Sequence, residues 1–453
     1  MTGPGLKCIV GWNRRSLQTM KSPIGFLTAA LIIPLLLLSC VPRELEELNR
    51  EELFSLQIGK MDNQIDLFQV GGVMAGAKNR IYMRDGLFYL ANGNAAKIME
   101  LSSYGDLIFL LYNPNENPPP TSFKTEQRAE PGGQEERVQP VEPDESTGQV
   151  EQEERNPQPE PLASTRRAVT YPLKRIGEIV VDSRKQLYVE DTVSEERQVH
   201  DKELNVLLDR VILRFDRHGE LVDFIGQEGV GGTPFPYIDS LYITDLDNLV
   251  VICRTPRYWH VYWYSPEGFL LYQVDIDQDH LPLQEGNPVS TLGRIVPARG
   301  DPLLYLLIYT YLGSTSEEQT DSYGTRIYSL SLLSERYEGY VEVPQNGVRI
   351  EKIGTQDVEV PAPSFELLGV NSEDAFFLLR REEANLFQLL ILNQAGDTLA
   401  RRYLVMEDSE LFYKDMRLSA GGIIYALLGE EYQVQIVWWR SDRLLREGER
   451  EGS

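Results

Sequence analysis

The chain has 453 residues, with 44 Lys and Arg against 69 Asp and Glu, and a formal net charge of −25. So acidic a surface excludes nucleic acid, whose phosphates require a basic face, and adhesion of the domain surface itself to anionic lipid. Hydrophobic residues make up 42% of the chain, enough for a sizeable core, and 23 Tyr with 36 Gly and 26 Pro lean toward strands and turns.

The N-terminus reads as an export signal. Residues 24–38 are almost wholly apolar, a run of roughly 15, short of the ~20 a spanning helix needs and suited to a signal-peptide core. The run ends in Leu37-Leu38-Ser39-Cys40. This resembles the lipobox of bacterial lipoproteins: Leu, a loosely defined residue, a small residue, then Cys. The resemblance implies that residues 1–39 are a signal peptide, and that Cys40 is acylated and becomes the mature N-terminus. Leu38 is larger than the strict pattern prefers, and relaxed versions resemble those of spirochaetes. An ordinary secretory signal with a chance Cys, or an uncleaved anchor, is the alternative. Met20-Lys21-Ser22 would also serve as a start, leaving residues 1–19 untranslated. Cleavage discards Cys8 and acylation uses Cys40, so Cys253 keeps the one free thiol, in an apolar run that marks it as core. Val41 stands where inner-membrane retention of the enterobacterial type has Asp, which favours the outer membrane. The expected location is the cell envelope, outside the cytoplasm, with the membrane reached through the lipid at Cys40.

Residues 40–60 read as the lipidated Cys and a tether, with Leu45, Leu48 and several Glu predicting a short helix. Residues 61–445 are the folded domain. Residues 113–168 interrupt it with Pro, Gln and Glu and too few large apolar side chains to offset ordering entropy, so this insertion is expected to be disordered. The charged tail, 446–453, is expected to be disordered as well.

The folded remainder repeats. Residues 240–245, 248–254, 258–264 and 269–274 read as four short strands joined by tight turns, one antiparallel meander. The same grammar recurs at 87–109, 179–226, 303–330, 375–403 and 423–439. A period of about 45 residues is that of propeller blades. The fold class is therefore all-β, a six-bladed β-propeller of four-stranded antiparallel blades; a pair of β-sandwiches is the alternative. Leu213-Arg214-Phe215-Asp216-Arg217-His218-Gly219 resembles the signature of NHL repeats between the last two strands of a blade. Residues 65–70 are candidates to pair with the last blade and close the ring. The long insertions 113–168, 191–209, 278–292, 312–324 and 342–363 all fall in connections that share one propeller face, and so mark that face for partner binding.

No strong catalytic or metal constellation stands out. His200, His218, His260 and His280 form no ligand-like pair, and no nucleophile elbow or phosphate-cradling loop is present. Gly229-Val230-Gly231-Gly232 leads into Thr233-Pro234 rather than a helix, which excludes a nucleotide loop. Asp275, Asp277 and Asp279 alternate like calcium ligands but fit a solvated acidic loop better. The densest aromatic cluster, with Arg254, Arg257, Tyr258, Trp259, His260 and Tyr262, is the candidate binding surface, with inter-blade packing as its plainer role. No cofactor is expected. The expected function is a non-catalytic, lipid-anchored binding or scaffold protein for a protein partner in the envelope. A lactonase-like propeller hydrolase or lyase, and a carbohydrate or cell-wall binder, are the alternatives.

Overall fold

The computed structural model describes residues 45–68, 77–123, 166–282, 289–311, 322–344, 348–353, 356–361, 363–383, 385–406 and 408–451. Residues 1–44, which include the expected signal peptide and Cys40, and residues 124–165 of the insertion lie outside them. The apolar runs pair as meanders into six blade sheets, with two two-stranded hairpins beside them among the described residues. Blade 1 holds Asn79–Arg84, Leu87–Asn92, Lys97–Leu101 and Leu107–Tyr112; blade 2 holds Ile179–Val181, Leu187–Thr192, Arg210–Phe215 and Leu221–Gly226. Blade 3 is Ile238–Ile243, Leu249–Arg254, Tyr258–Tyr264 and Leu270–Asp277; blade 4 is Val289–Pro297, Leu303–Tyr311, Ser322–Ser331 and Arg336–Val343. Blade 5 is Glu366–Val370, Phe376–Glu383, Leu386–Leu392 and Thr398–Val405, and blade 6 has Tyr413–Leu418, Ile424–Gly429 and Gln433–Trp439.

Blade 6 takes its fourth strand from the other end of the folded chain: Arg50–Gln57 pairs antiparallel with Gln433–Trp439. Buried apolar residues divide into one cluster for each junction between neighbouring blades. The cluster joining blades 6 and 1 contains Phe54 and Leu56 beside Phe88, Leu90, Leu427 and Ile436; the other five junctions have their own. A core at every junction, the last included, makes a closed ring and leaves no place for two sandwiches.

Several boundaries move. The helix expected in 40–60 is instead strand, Glu47–Leu48 and Arg50–Gln57. Phe54 and Leu56 alternate with exposed Glu52, Ser55 and Gln57, and burying that face overrides the helix preference of the glutamates. The same strand, and not 65–70, closes the ring; Ile65 and Leu67 are buried beneath it, and 69–70 lie outside the described residues. The insertion is shorter than expected at both ends. Asn113 and Asn117 fix its start by donating to the Leu173 and Ala95 carbonyls, and Arg167–Thr170 pairs parallel to the outer strand of blade 1. The tail is helical over Asp442–Glu451 (α1), held by Arg440 pairing with Asp442 and by Leu444 buried against blades 5 and 6.

One turn chemistry recurs at the ends of the blades. Ser102, Asp216, Ser265 and Asn393 each open a turn between third and fourth strands, and each side-chain oxygen accepts the N–H groups two and four residues on. Gly105, Gly219, Gly268 and Gly396 supply the positive φ these turns need. The NHL-like phrase at 213–219 is thus one instance of a turn that other blades make with different residues.

Closure by 50–57 gives a direct expectation. Phe54 meets Phe88 edge to face at 5.7 Å. Phe54→Ala is expected to cost about 3–5 kcal/mol in urea unfolding, whereas Glu52→Ala, exposed on the same strand, stays within about 0.5 kcal/mol. Equal effects would show that this strand does not close the ring.

Candidate functional site

The first strand of each blade lies nearest the propeller axis. Alternation sends Ile81 into the core and turns Arg80, Tyr82 and Arg84 inward; on blade 6, Arg417 and Asp415 take the same side. Bulges adjust three of the other inner strands, between Ile238 and Ser240, Leu292 and Arg294, and Leu367 and Gly369. Each bulge turns its strand locally and re-aims the side chains beyond it. At Gly293 a Cβ would lie 2.3 Å from the Tyr309 ring, so only glycine permits the bulge that delivers Arg294 to the axis.

Where the inner strands begin, the axis is filled by a charge network. Glu178, whose side chain is 2% exposed, meets Arg417 at 2.6 Å, Arg80 at 2.7 Å and Lys78 at 3.5 Å. Burial pushes its carboxyl up, but Arg417, Arg80 and Lys78 together outweigh that and hold the pKa at about 2. Lys78 also pairs with Glu190 at 3.2 Å and donates to the Ile238 carbonyl, so the network joins blades 1, 2, 3 and 6. Glu190 accepts the Glu178 N–H at 2.7 Å and meets Arg210; burial pushes its carboxyl up. Gly177 leaves room for it, since a Cβ there would sit 1.9 Å from the carboxylate. Blade 6 also caps the exposed edge of blade 1: the N–H groups of Asn79, Ile81 and Met83 donate to Tyr413 Oη, Asp415 Oδ2 and Tyr425 Oη at 3.0, 2.9 and 3.1 Å.

Where the inner strands end, the axis opens into a cavity of about 340 Å³. Its cations are Arg84, Arg294, Arg299 and Arg417, and its one carboxylate is Asp85. Tyr82, Tyr242 and Tyr425 and the aliphatic side chains of Leu241, Val296, Val370 and Leu418 complete the wall. Three arginines have acidic partners: Arg417 with Glu178 and Asp415, Arg299 with Asp245 at 2.8 Å, and Arg84 with Asp247 at 3.6 Å. Arg294 forms no ion pair among the described residues and has Tyr242 beside it. Turn-to-turn contacts lace the rim from blade to blade: Lys185 to Asp85, the Ser183 N–H to Asp247, Asp245 to Arg299, the Arg299 N–H to Asp374, and the Ser372 N–H to the Ala420 carbonyl. The cavity opens on the face opposite the strand ends that lead from one blade into the next, because first strands run away from that face.

The aromatic cluster expected to form a surface is dispersed. Trp259 and Tyr262 are 3% exposed and belong to different junction cores, and His260 is buried with Nδ1 2.7 Å from Asp275. Arg254 lies over the Trp259 ring and exposed Arg257 over Tyr258, so only an edge of the cluster meets solvent. Burial forces this: a strand flanked by two blades packs both its faces. Asp277 is held well below the usual carboxylate range, first by its hydrogen bond to Arg257 and also by the Asp279 N–H and His280. Among the described residues no group of three or more His, Cys, Asp or Glu is placed to hold a metal ion. Burial pushes the Cys253 thiol well up, which leaves it inert. The axial residues escaped sequence reading; the spacing Arg80-x-Tyr82-x-Arg84 and Tyr413-x-Asp415-x-Arg417 was their one signal.

No protein-family model and no curated protein matches the chain. Among solved structures it is similar to the Dos1 propeller, at 7% identity over 87% of this chain and 95% of that one, with a TM-score of 0.36. It is also similar to a streptogramin B lyase, at 10% identity over 86% and 97%, with a TM-score of 0.33. The class, a six-bladed β-propeller, rests on the strand pairing and junction cores described above.

The Glu178 node predicts acid sensitivity. A carboxyl whose pKa falls from 4.5 to about 2 on folding stabilises the protein fully above pH 4.5 and loses that contribution as pH drops toward 2. Glu178→Gln is expected to cost about 3–5 kcal/mol at pH 7, since it strands buried guanidinium groups, and to flatten the decline of stability below pH 4.5. Unchanged acid unfolding in the variant would remove Glu178 from this role.

Proposed function

We propose that the chain is a lipid-anchored, extracytoplasmic propeller that binds its ligand without transforming it. The observation that carries this reading is the axial cavity with its laced, preformed rim; a site ordered in advance spends little on binding. The chemistry of its walls favours holding over reacting. Arginines stay protonated at all physiological pH and exchange no proton. Glu178, with a pKa of about 2 and three cations, is a poor base near neutrality. Burial pushes the Glu190 carboxyl up, but its side chain is 1% exposed, is enclosed by Lys78, Arg210 and the Glu178 amide, and does not line the cavity. The opposite face, with the hairpins Val199–Asp201/Val206–Leu208 and Val348–Ile353/Gln356–Pro361, is left for a protein partner in the envelope. The anchor rests on Leu37-Leu38-Ser39-Cys40.

Two measurements test this. Cells fed labelled palmitate are expected to label the full chain and not Cys40→Ala; equal labelling refutes the anchor. Native mass spectrometry of gently extracted protein is expected to show a noncovalent adduct that denaturation releases. An adduct-free spectrum together with steady hydrolysis of a lactone panel would overturn the non-catalytic reading.

A further inference from the structure

The geometry points to a small organic anion as the ligand of the axial cavity, its charged group held by Arg294 beside Arg417 and its apolar body against the aliphatic and tyrosine wall. The inference rests on the cavity being a ligand site, as proposed above, and adds the chemical class.

The starting point is an imbalance of charge inside an acidic protein. The chain carries −25, yet the cavity presents four arginines and one carboxylate. That carboxylate, Asp85, is exposed at the rim and already held by Lys185. At the filled end of the axis every cation has a carboxylate: Arg80 and Arg417 share Glu178, Lys78 sits between Glu178 and Glu190, and Arg210 meets Glu190 and Asp209. Arg299 and Arg84 are neutralised at the open end. Arg294 is the exception among the described residues that line the cavity. A guanidinium drawn out of bulk water without a counter-charge is costly. Here no carboxylate pairs with the guanidinium: the Tyr242 phenol lies beside it, Asp239 attracts it from beyond ion-pair distance, and the neighbouring Arg417 charge opposes it.

The fold goes to some length to place this side chain. Arg294 follows the bulge at Gly293, the one position in that strand where a Cβ would strike Tyr309. Without the bulge, the alternation of the strand would run on unbroken and the side chain at 294 would take the other face. A guanidinium offers a planar fork that matches carboxylate and phosphate oxygens, so an arriving anion gains a charge-assisted pair and relieves the Arg294–Arg417 opposition together. The cavity volume of about 340 Å³ is at the lower end for small-molecule sites, and admits a ring or short chain as well as the charged group. The aliphatic wall would be idle against a bare inorganic ion.

The test is calorimetry on the full chain in a non-ionic detergent at low ionic strength, with phenyl phosphate, benzoate, inorganic phosphate, benzamide and benzylamine as probes. Phenyl phosphate and benzoate are expected to bind and to raise the melting temperature. Benzamide is expected to bind at least about tenfold more weakly, inorganic phosphate more weakly than phenyl phosphate, and benzylamine not at all. Arg294→Gln is expected to weaken the organic anions by about tenfold or more, while leaving the melting temperature of the ligand-free protein unchanged or higher. Arg294→Lys keeps part of the affinity. A fall in ligand-free melting temperature in Arg294→Gln, or unchanged anion affinity, overturns the role of Arg294. If that variant does not fold, raising the salt concentration on the native chain decides the class: it must weaken benzoate and spare benzamide. Benzamide or benzylamine binding as well as benzoate sinks the anion and keeps the cavity as a ligand site. No binding by any probe sinks both readings.

Discussion

A propeller blade touches only its two neighbours, except at the axis, and there one carboxylate ties blades 1, 2 and 6 together. Glu178 enters from blade 2 and receives Arg80 and Lys78 from blade 1 and Arg417 from blade 6. Desolvating any of these ions alone would be prohibitive; together, and with hydrogen bonds filling the remaining positions, they offset the cost. The six junction cores supply the bulk of the stability. What the node adds is register. Blades packed through aliphatic faces tolerate small slides, whereas an arginine at 2.6 Å from its carboxylate does not.

The two ends of the axis follow from this arrangement. At the beginning of the inner strands carboxylates and cations are matched and the channel is filled. At the end they are not matched, and a cavity remains. The rim of that cavity is built from turns in which a side-chain oxygen ties down two backbone N–H groups, as Asp182, Thr244 and Asn371 do in the turns after first strands. Residues Lys185, Asp247 and Asp374 accept positive φ there, at a cost of roughly 1–2 kcal/mol each. Such strain persists where neighbouring contacts over-determine the backbone, as the rim bonds from Ser183 to Asp247 and from Arg299 to Asp374 do.

The second and third strands of the blades were legible in the sequence because they are buried on both faces and read as plain apolar runs: 249–254, 303–311 and 386–392 are examples. The inner strand 366–370 was missed although it is apolar after Glu366, whereas 79–84 and 413–418 were missed for one shared reason. A strand that borders a wet axis must carry polar residues at alternate positions, and Arg80, Asp415 and Arg417 then look like loop or surface. Those are also the residues of the site. The aromatic run 258–264, legible both as a binding surface and as inter-blade packing, serves the packing: its density of Trp and Tyr reflects two blade faces to fill. Closure by 50–57 was hidden because an outer strand with glutamates on its solvent side is indistinguishable by composition from a helix.

The acidity of the chain and the arginines of its axis do not contradict each other, because they act over different distances. Surface carboxylates are screened within about 8 Å at physiological ionic strength, so the charge of −25 sets a diffuse field that discourages approach of anions without reaching into the cavity. Within the cavity the protein walls lower the effective dielectric constant, and a guanidinium facing an oxyanion interacts more strongly than it would in bulk water. The combination makes association slow and selection strict: electrostatic steering works against the ligand, and only the complementary group, once inside, is retained.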